Sequence, residues 1–209
     1  MSLLHTLNNT GYVVQHFKSF GEFDVFCKEI GDVKQTTDVK ITNGLTSFPY
    51  IHDEIPFHTD NPEIEIVGWF CIDQDEIAGE SLIIDVRNIL LEFSEIEIKR
   101  LATITLPTPV SKKNFPILQI KNGHPHIYFI NRLWENLAET SSKEDGDIIK
   151  KFLCAVNAIK NDGKYLSIRL KRNEALFVNN QMMIHARGGI SQNSKRHLIR
   201  KYIKLACNW

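Results

Sequence analysis

The chain has 209 residues, 43% of them hydrophobic and 24% charged, and its 25 basic and 25 acidic side chains cancel. This is the composition of one globular domain with a substantial core, and it excludes a disordered chain. No apolar run approaches the length of a membrane-spanning helix, and no cluster of lysines and arginines interleaved with aromatics marks a nucleic-acid surface.

In chain order, residues 11–17 read as a first strand after a turn, with His16 a strand residue rather than a ligand. Ser19 caps a predicted helix from Phe20 to Ile30, because Phe20, Phe23, Phe26, Cys27 and Ile30 recur on one helical face and Gly31 stops it. A strand is expected from Asp38 to Thr42, then a turn at Asn43-Gly44 and a loop from Leu45 to Pro56. Glu63 to Ile72 is the clearest strand, alternating at first and then continuously apolar. Asp73 to Glu76 turns the chain toward Ala78-Gly79-Glu80-Ser81 and a short buried strand, Leu82 to Ile84. Helical spacing from Asp85 to Leu101 predicts two short helices broken near Ser94.

Ala102 to Leu106 and Pro116 to Ile120 are predicted strands, Lys121-Asn122-Gly123 a turn, and His126 to Ile130 another strand. Lys143 to Lys160 is an amphipathic helix that buries Ile148, Ile149, Phe152, Leu153, Val156 and Ile159. Tyr165 to Leu170, Ala175 to Val178 and His197 to Leu205 complete a strand-rich last third. Many strands with few helices imply a single domain over 1–209, a sandwich or open barrel with helices packed outside and a ligand site at its mouth.

Charge is divided unevenly. Residues 1–100 hold 7 Lys/Arg against 18 Asp/Glu and residues 101–209 hold 18 against 7, so the halves carry −11 and +11. Pairing of the halves in the fold accounts for this, and the basic half also suits an anionic small ligand. Cys27, Cys71, Cys154 and Cys207 are scattered, which argues against a disulfide framework or a zinc site and for free thiols in a reducing cytoplasm. The first residues, from Met1 to Thr6, lack the basic and apolar regions of a secretory signal. Nothing sets an oligomeric state.

The stretch that draws chemical attention is Ile55-Pro56-Phe57-His58-Thr59-Asp60. On extended chain, residues two apart point to the same side, so His58 and Asp60 could share a metal ion. With 8 histidines and 25 acidic residues, about one His-x-acid match is expected by chance; His52-Asp53-Glu54 is a second. A third ligand is offered by His185, in Gln181-Met182-Met183-Ile184-His185-Ala186-Arg187. Two histidines and a carboxylate on one face of a metal form the site of non-haem Fe(II) oxygenases. His124-Pro125-His126 has the opening of a cupin site, but with a proline inside and no glutamate following it reads as turn chemistry.

The order of these features is informative: His-x-Asp, an apolar strand, Gly-Glu-Ser-Leu-Ile-Ile-Asp, a helix, then Asn-Glu-Ala-Leu-Phe-Val-Asn-Asn-Gln-Met-Met-Ile-His-Ala-Arg and a basic strand. From about Gly11 onward the chain resembles the Fe(II)/2-oxoglutarate-dependent dioxygenases of the taurine dioxygenase and clavaminate synthase-like superfamily. The resemblance implies a mainly β fold with flanking helices and a double-stranded β-helix (jelly-roll) core. It implies Fe(II) on His58, Asp60 and His185, with 2-oxoglutarate as cosubstrate and O2 as oxidant.

Ser81 matches a hydroxyl near the cosubstrate carboxylate, in a segment that keeps one of the family's two glycines. Asn180 and Arg187 match residues flanking the distal histidine. Arg196 and Arg200, 11 and 15 residues after His185, match the family's distal arginines and favour its taurine dioxygenase-like branch. Four apart on one strand face, either could grip a carboxylate by two parallel charge-assisted hydrogen bonds. Arg196 is assigned to 2-oxoglutarate, with Arg200 the alternative for that role, and Arg200, with Asn131 and Arg132, is assigned to the substrate.

Asp60 and His185 are 125 residues apart, shorter than is usual in the family, so substrate-covering insertions are expected to be reduced. The expected reaction is hydroxylation of an unactivated C–H bond in a small carboxylate-bearing, amino-acid-like molecule in specialised metabolism, free or carrier-tethered, releasing succinate and CO2. Desaturation or cyclisation at the same site is the alternative chemistry, and a jelly-roll binding or sensor protein the alternative class.

Overall fold

The computed structural model describes residues 2–42, 49–108 and 113–205; the turn expected at Asn43-Gly44, the start of the following loop, and Cys207 lie outside the described residues. Helix α1 (Leu3–Thr10) begins on the Ser2 hydroxyl, which accepts from His5 N–H, and ends at Gly11 in the left-handed region at φ +80°. Gly11 is required twice over, since a Cβ there would collide with the Met183 side chain. Strand β1 (Tyr12–His16) and helix α2 (Phe20–Ile30, capped by Ser19) follow as expected. Strand β2 (Asp32–Lys40) starts earlier than its apolar pattern suggests.

Then come β3 (Ile55–His58), β4 (Ile66–Asp73) and β5 (Ser81–Asp85). The predicted break at Ser94 separates α3 (Val86–Leu90) from α4 (Glu95–Leu101), where Ser94 and Glu97 form a reciprocal capping box. Two hairpins come next, β6 (Thr105–Pro107) with β7 (Asn114–Pro116), and β8 (Leu118–Lys121) with β9 (His124–Ile127). Asn122 and Gly123, at φ 50° and 80°, make the tight turn between the last two. Helix α5 (Asn131–Thr140) has no counterpart among the expected elements, and the strand expected over His126 to Ile130 is β9, which ends at Ile127. Helix α6 (Lys143–Asn161), β10 (Leu166–Ile168), β11 (Glu174–Asn179), β12 (Met183–Arg187) and β13 (His197–Lys204) complete the described order.

The strands form two main antiparallel sheets, β1-β11-β4-β13-β2 and β10-β5-β12-β3. In both, strands from residues 1–100 alternate strictly with strands from residues 101–209. The sheets meet through Val39, Cys71, Leu176 and Leu198 of the first and Ile83 and Met183 of the second. Helix α2 covers the first sheet, packing Phe23 and Cys27 on Ile66, Phe70 and Phe177. Helices α3 to α6 build the largest core beside the second sheet, where Trp134 lies 4.7 Å from Phe152 and 5.0 Å from Phe129 between ring centroids. Burying each large apolar side chain stabilises by about 1.5–3 kcal/mol.

The oppositely charged halves do pair: Lys201 with Asp24, Lys151 with Glu97, Lys160 with Glu54 and Arg169 with Glu80. No helix among the described residues is long and apolar enough to cross a membrane.

Candidate active site

Antiparallel pairing of β12 with β3 sets His185 directly opposite His58. Asp60 follows two residues after His58, and its position is fixed on both sides. Thr59 N–H donates to the Phe129 carbonyl at 2.7 Å, and its hydroxyl accepts from Phe129 N–H at 2.9 Å. The Asn180 side chain accepts from Asp60 N–H at 2.8 Å and donates to the carbonyls of Asn61 and Ile64 at 3.1 and 3.0 Å. Asn180, matched by resemblance alone, thus ties the Asp60 loop to the turn before β12.

His58, Asp60 and His185 offer donor atoms that all lie within 4.8 Å of one another, the one such set of three among the described residues. Asp60 Oδ2 is 3.3 Å from His185 Nε2, and Oδ1 is 4.0 Å from His58 Nε2. Asp60 Oδ2 and both ring nitrogens of His185 are buried without a hydrogen-bond partner, which is costly unless something else binds there. His58 Nδ1 lies 2.8 Å from the Pro56 carbonyl, which can only accept, so Nδ1 carries the proton and Nε2 presents a lone pair. Burial and neighbouring His185 push His58 down to about 4, which keeps it neutral and able to ligate. Burial works to raise Asp60, but His185 and Arg200 outweigh it and hold the carboxyl below its ordinary range.

The other oxygen of Asp60 is engaged by protein. Oδ1 accepts from the Tyr202 phenol at 2.5 Å and from Arg200 Nη1 at 3.3 Å. The Arg200 guanidinium stacks on the Tyr202 ring, 4.5 Å from its centroid, and its Nε is buried without a partner. A carboxylate with one oxygen occupied and one bare is set up for single-oxygen ligation. Two histidine nitrogens and one such oxygen fit Fe(II).

Two cavities adjoin this cluster, sharing His58 and Arg200. The smaller, of about 50 Å³, is lined by Ser81, Trp69, Arg187 and Arg196 as well. Arg196 is only 4% exposed, and its Nε donates to Gln74 Oε1 and the Gly79 carbonyl, each at 3.1 Å. Gly79, at φ +76°, leaves the room Arg196 occupies; a Cβ there would fall 2.9 Å from Arg196 Cδ. Arg187 is instead a tether, donating to the carbonyls of Pro49, Ile51 and Asp53 on the segment leading to β3. The larger cavity, of about 410 Å³, is lined by Asp60, Tyr202, Pro56 and Phe57, and by Asn131 and Arg132 at the start of α5.

Of the eight predicted site residues, three form the cluster and the other five line the two cavities beside it. The competing motif is elsewhere occupied: His52 Nδ1 lies 3.0 Å from the Ser191 carbonyl, and Glu54 pairs with Lys160. His126 lies on β9 and is pushed down to about 4 by burial, then by Lys121 and His124. Tyr202, Trp69 and Gln74 were missed as site residues. Trp69, whose ring meets His185 edge-on at 5.1 Å, lies on β4 opposite Arg200 of β13, the strand that also carries Tyr202. The only sequence signal among the three was for Tyr202, on the period-two face it shares with Arg200.

No family model matches the sequence, and no curated protein matches it. Solved structures do. An asparagine oxygenase in complex with Fe(II), 2S,3S-3-hydroxyasparagine and succinate superposes with TM-score 0.73 at 17% identity, over 97% of this chain and 77% of that one. The iron oxygenase OrfP with Fe and alpha-ketoglutaric acid gives 0.72 at 12% identity over 96% and 78%. PvcB from Pseudomonas aeruginosa gives 0.69 at 14% over 96% and 78%. The fold is shared with these oxygenases, and more than a fifth of each has no counterpart in this shorter chain.

Proposed function

We propose that this chain is an Fe(II)- and 2-oxoglutarate-dependent oxygenase, a single domain over residues 1–209, that hydroxylates a small carboxylate-bearing, amino-acid-like substrate. The observation that carries the reading is the set of bare donors, His58 Nε2, His185 Nε2 and Asp60 Oδ2, enclosed where no protein group satisfies the last two. Its support is the fold shared with solved iron oxygenases, two of them described with hydroxylated amino acids bound. On the same ground we read the two facing sheets as a double-stranded β-helix.

When bound, Fe(II) and 2-oxoglutarate would couple decarboxylation of the cosubstrate to succinate and CO2 with use of O2 to oxidise a C–H bond. The chain's own tasks are positional. Pro56 orients the His58 ring through Nδ1–H, and Tyr202 and Arg200 hold Asp60 by Oδ1. Arg196, with only its Nε engaged, offers its two Nη groups to the distal carboxylate of 2-oxoglutarate, with the Ser81 hydroxyl beside it. Arg200, Asn131 and Arg132 face the substrate. Hydroxylation is favoured over halogenation because Asp60 occupies the position a halide would need. Cys27, Cys71 and Cys154 are free, which accords with a cytoplasmic protein.

The test is succinate release by purified protein given Fe(II), ascorbate and 2-oxoglutarate, screened over free amino acids, their N-acyl derivatives and carrier thioesters. No consumption of 2-oxoglutarate with any of them would leave the binding-protein reading in its place.

A further inference from the structure

The larger cavity has an electrostatic bias that bears on the substrate's charge. The side chains of Arg132 and Arg200 line it, beside the start of α5. The N-cap of that helix, Ile130, makes no side-chain bond, so the positive end of the helix dipole is unscreened there. The one acidic side chain among the described lining residues is Asp60. Its Oδ1 is taken by Tyr202 and Arg200, and its Oδ2 belongs to the metal-ligating set. The residues outside the described set include no aspartate or glutamate, so they supply no further side-chain carboxylate.

A free amino acid carries a carboxylate and an ammonium in equal measure. This cavity answers the first twice, with Arg200 Nε buried and unpartnered, and offers the second no free carboxylate. An ammonium held here would be desolvated beside two guanidinium groups and a divalent cation with no carboxylate to meet it. We infer that the substrate, on the oxygenase reading above, is a small carboxylic acid without a free ammonium group, an N-acylated amino acid above all. Asn131 supplies the neutral polar contact that an amide requires: its Nδ2 donates to Glu135 at 2.7 Å and its Oδ1 remains to accept from an amide N–H. A carrier-tethered aminoacyl group, with an ammonium and no carboxylate, is the poorest match. The reaction balances as R–H + O2 + 2-oxoglutarate giving R–OH + succinate + CO2.

The test is equilibrium binding, by calorimetry under anaerobic conditions, to protein loaded with Fe(II) and 2-oxoglutarate. A panel of L-amino acids is compared with their N-acetyl derivatives and their methyl esters. The best N-acetyl acid is expected to bind at least about tenfold tighter than its parent, with the esters weaker still. Arg132→Glu, on the exposed first turn of α5, is expected to reverse the order of the N-acetyl acid and its parent. Parents binding as tightly as their N-acetyl derivatives, or no binding by any compound, would overturn the inference. Because O2 is excluded, this outcome is separate from failure of the oxygenase reading, which shows as absent 2-oxoglutarate consumption.

Discussion

The two cavities that share His58 and Arg200 are built differently. Around the smaller, Arg196 is sunk in protein, held through Nε by Gln74 and Gly79, and its approach requires a glycine. Around the larger, Arg132 is exposed at a helix start and Asn131 is bonded only within its own turn. On the reading proposed above, the smaller site would always receive the same dicarboxylate and is fixed by strands and buried tethers. The larger would select one substrate among many and is carried on the first turn of a helix, where side chains change without disturbing a core.

The sharpest way to break this picture is at the cluster between the cavities. Alanine at His58, Asp60 or His185 should abolish Fe(II) binding and turnover, whereas His52→Ala and Glu54→Ala should leave iron binding in place; metal found on His52 and Glu54 would refute the assignment. Next in size, Arg196→Ala should raise the 2-oxoglutarate requirement, since stranding one partner of a buried charge pair costs about 3–5 kcal/mol, or roughly 100- to 4,000-fold. Arg200→Ala should act on substrate KM instead, and the reverse result would exchange their roles.

Tyr202→Phe removes a hydrogen bond to a metal-ligating carboxylate and should weaken Fe(II) affinity by about 10–100-fold, read by calorimetry. Gly79→Ala puts a Cβ against Arg196 and forces a left-handed conformation costing about 1–2 kcal/mol; it should lower Tm and raise the 2-oxoglutarate KM several-fold, leaving Fe(II) affinity unchanged. The smallest effect belongs to Ser81→Ala, one neutral hydrogen bond worth about 1 kcal/mol, or roughly fivefold in 2-oxoglutarate KM.

What was legible in the sequence followed from periodicity and from capping. Phe20 to Ile30, Lys143 to Lys160 and the break at Ser94 carry strong local signals, and tertiary packing agrees with them. The cluster of three was legible because His58 and Asp60 lie in one short segment and His185 in a flanking pattern matched by resemblance. Strand β2 was read short because its first half, Asp32 to Thr37, has little apolar alternation; it is an edge strand held by its ladder to β13. Helix α1, rich in Asn and Thr, is secured by Leu7 in the core and by Gly11 rather than by propensity. The Asp60–Tyr202 bond spans 142 residues, and no local pattern announces such a contact.

The alternation of early and late strands in both sheets has a consequence in time. On the ribosome, β1 to β5 emerge with no sheet neighbour, because every ladder they form in the two main sheets requires β10, β11, β12 or β13. Those early strands lie within a segment of net charge −11, whose self-repulsion keeps it soluble and discourages pairing of its unsatisfied edges with another nascent chain. Sheet formation then waits for the last third of the chain and closes long loops at once, the slow regime of folding. His58 and Asp60 meet His185 only at that closing step, so the cluster of three cannot exist before the fold itself is complete.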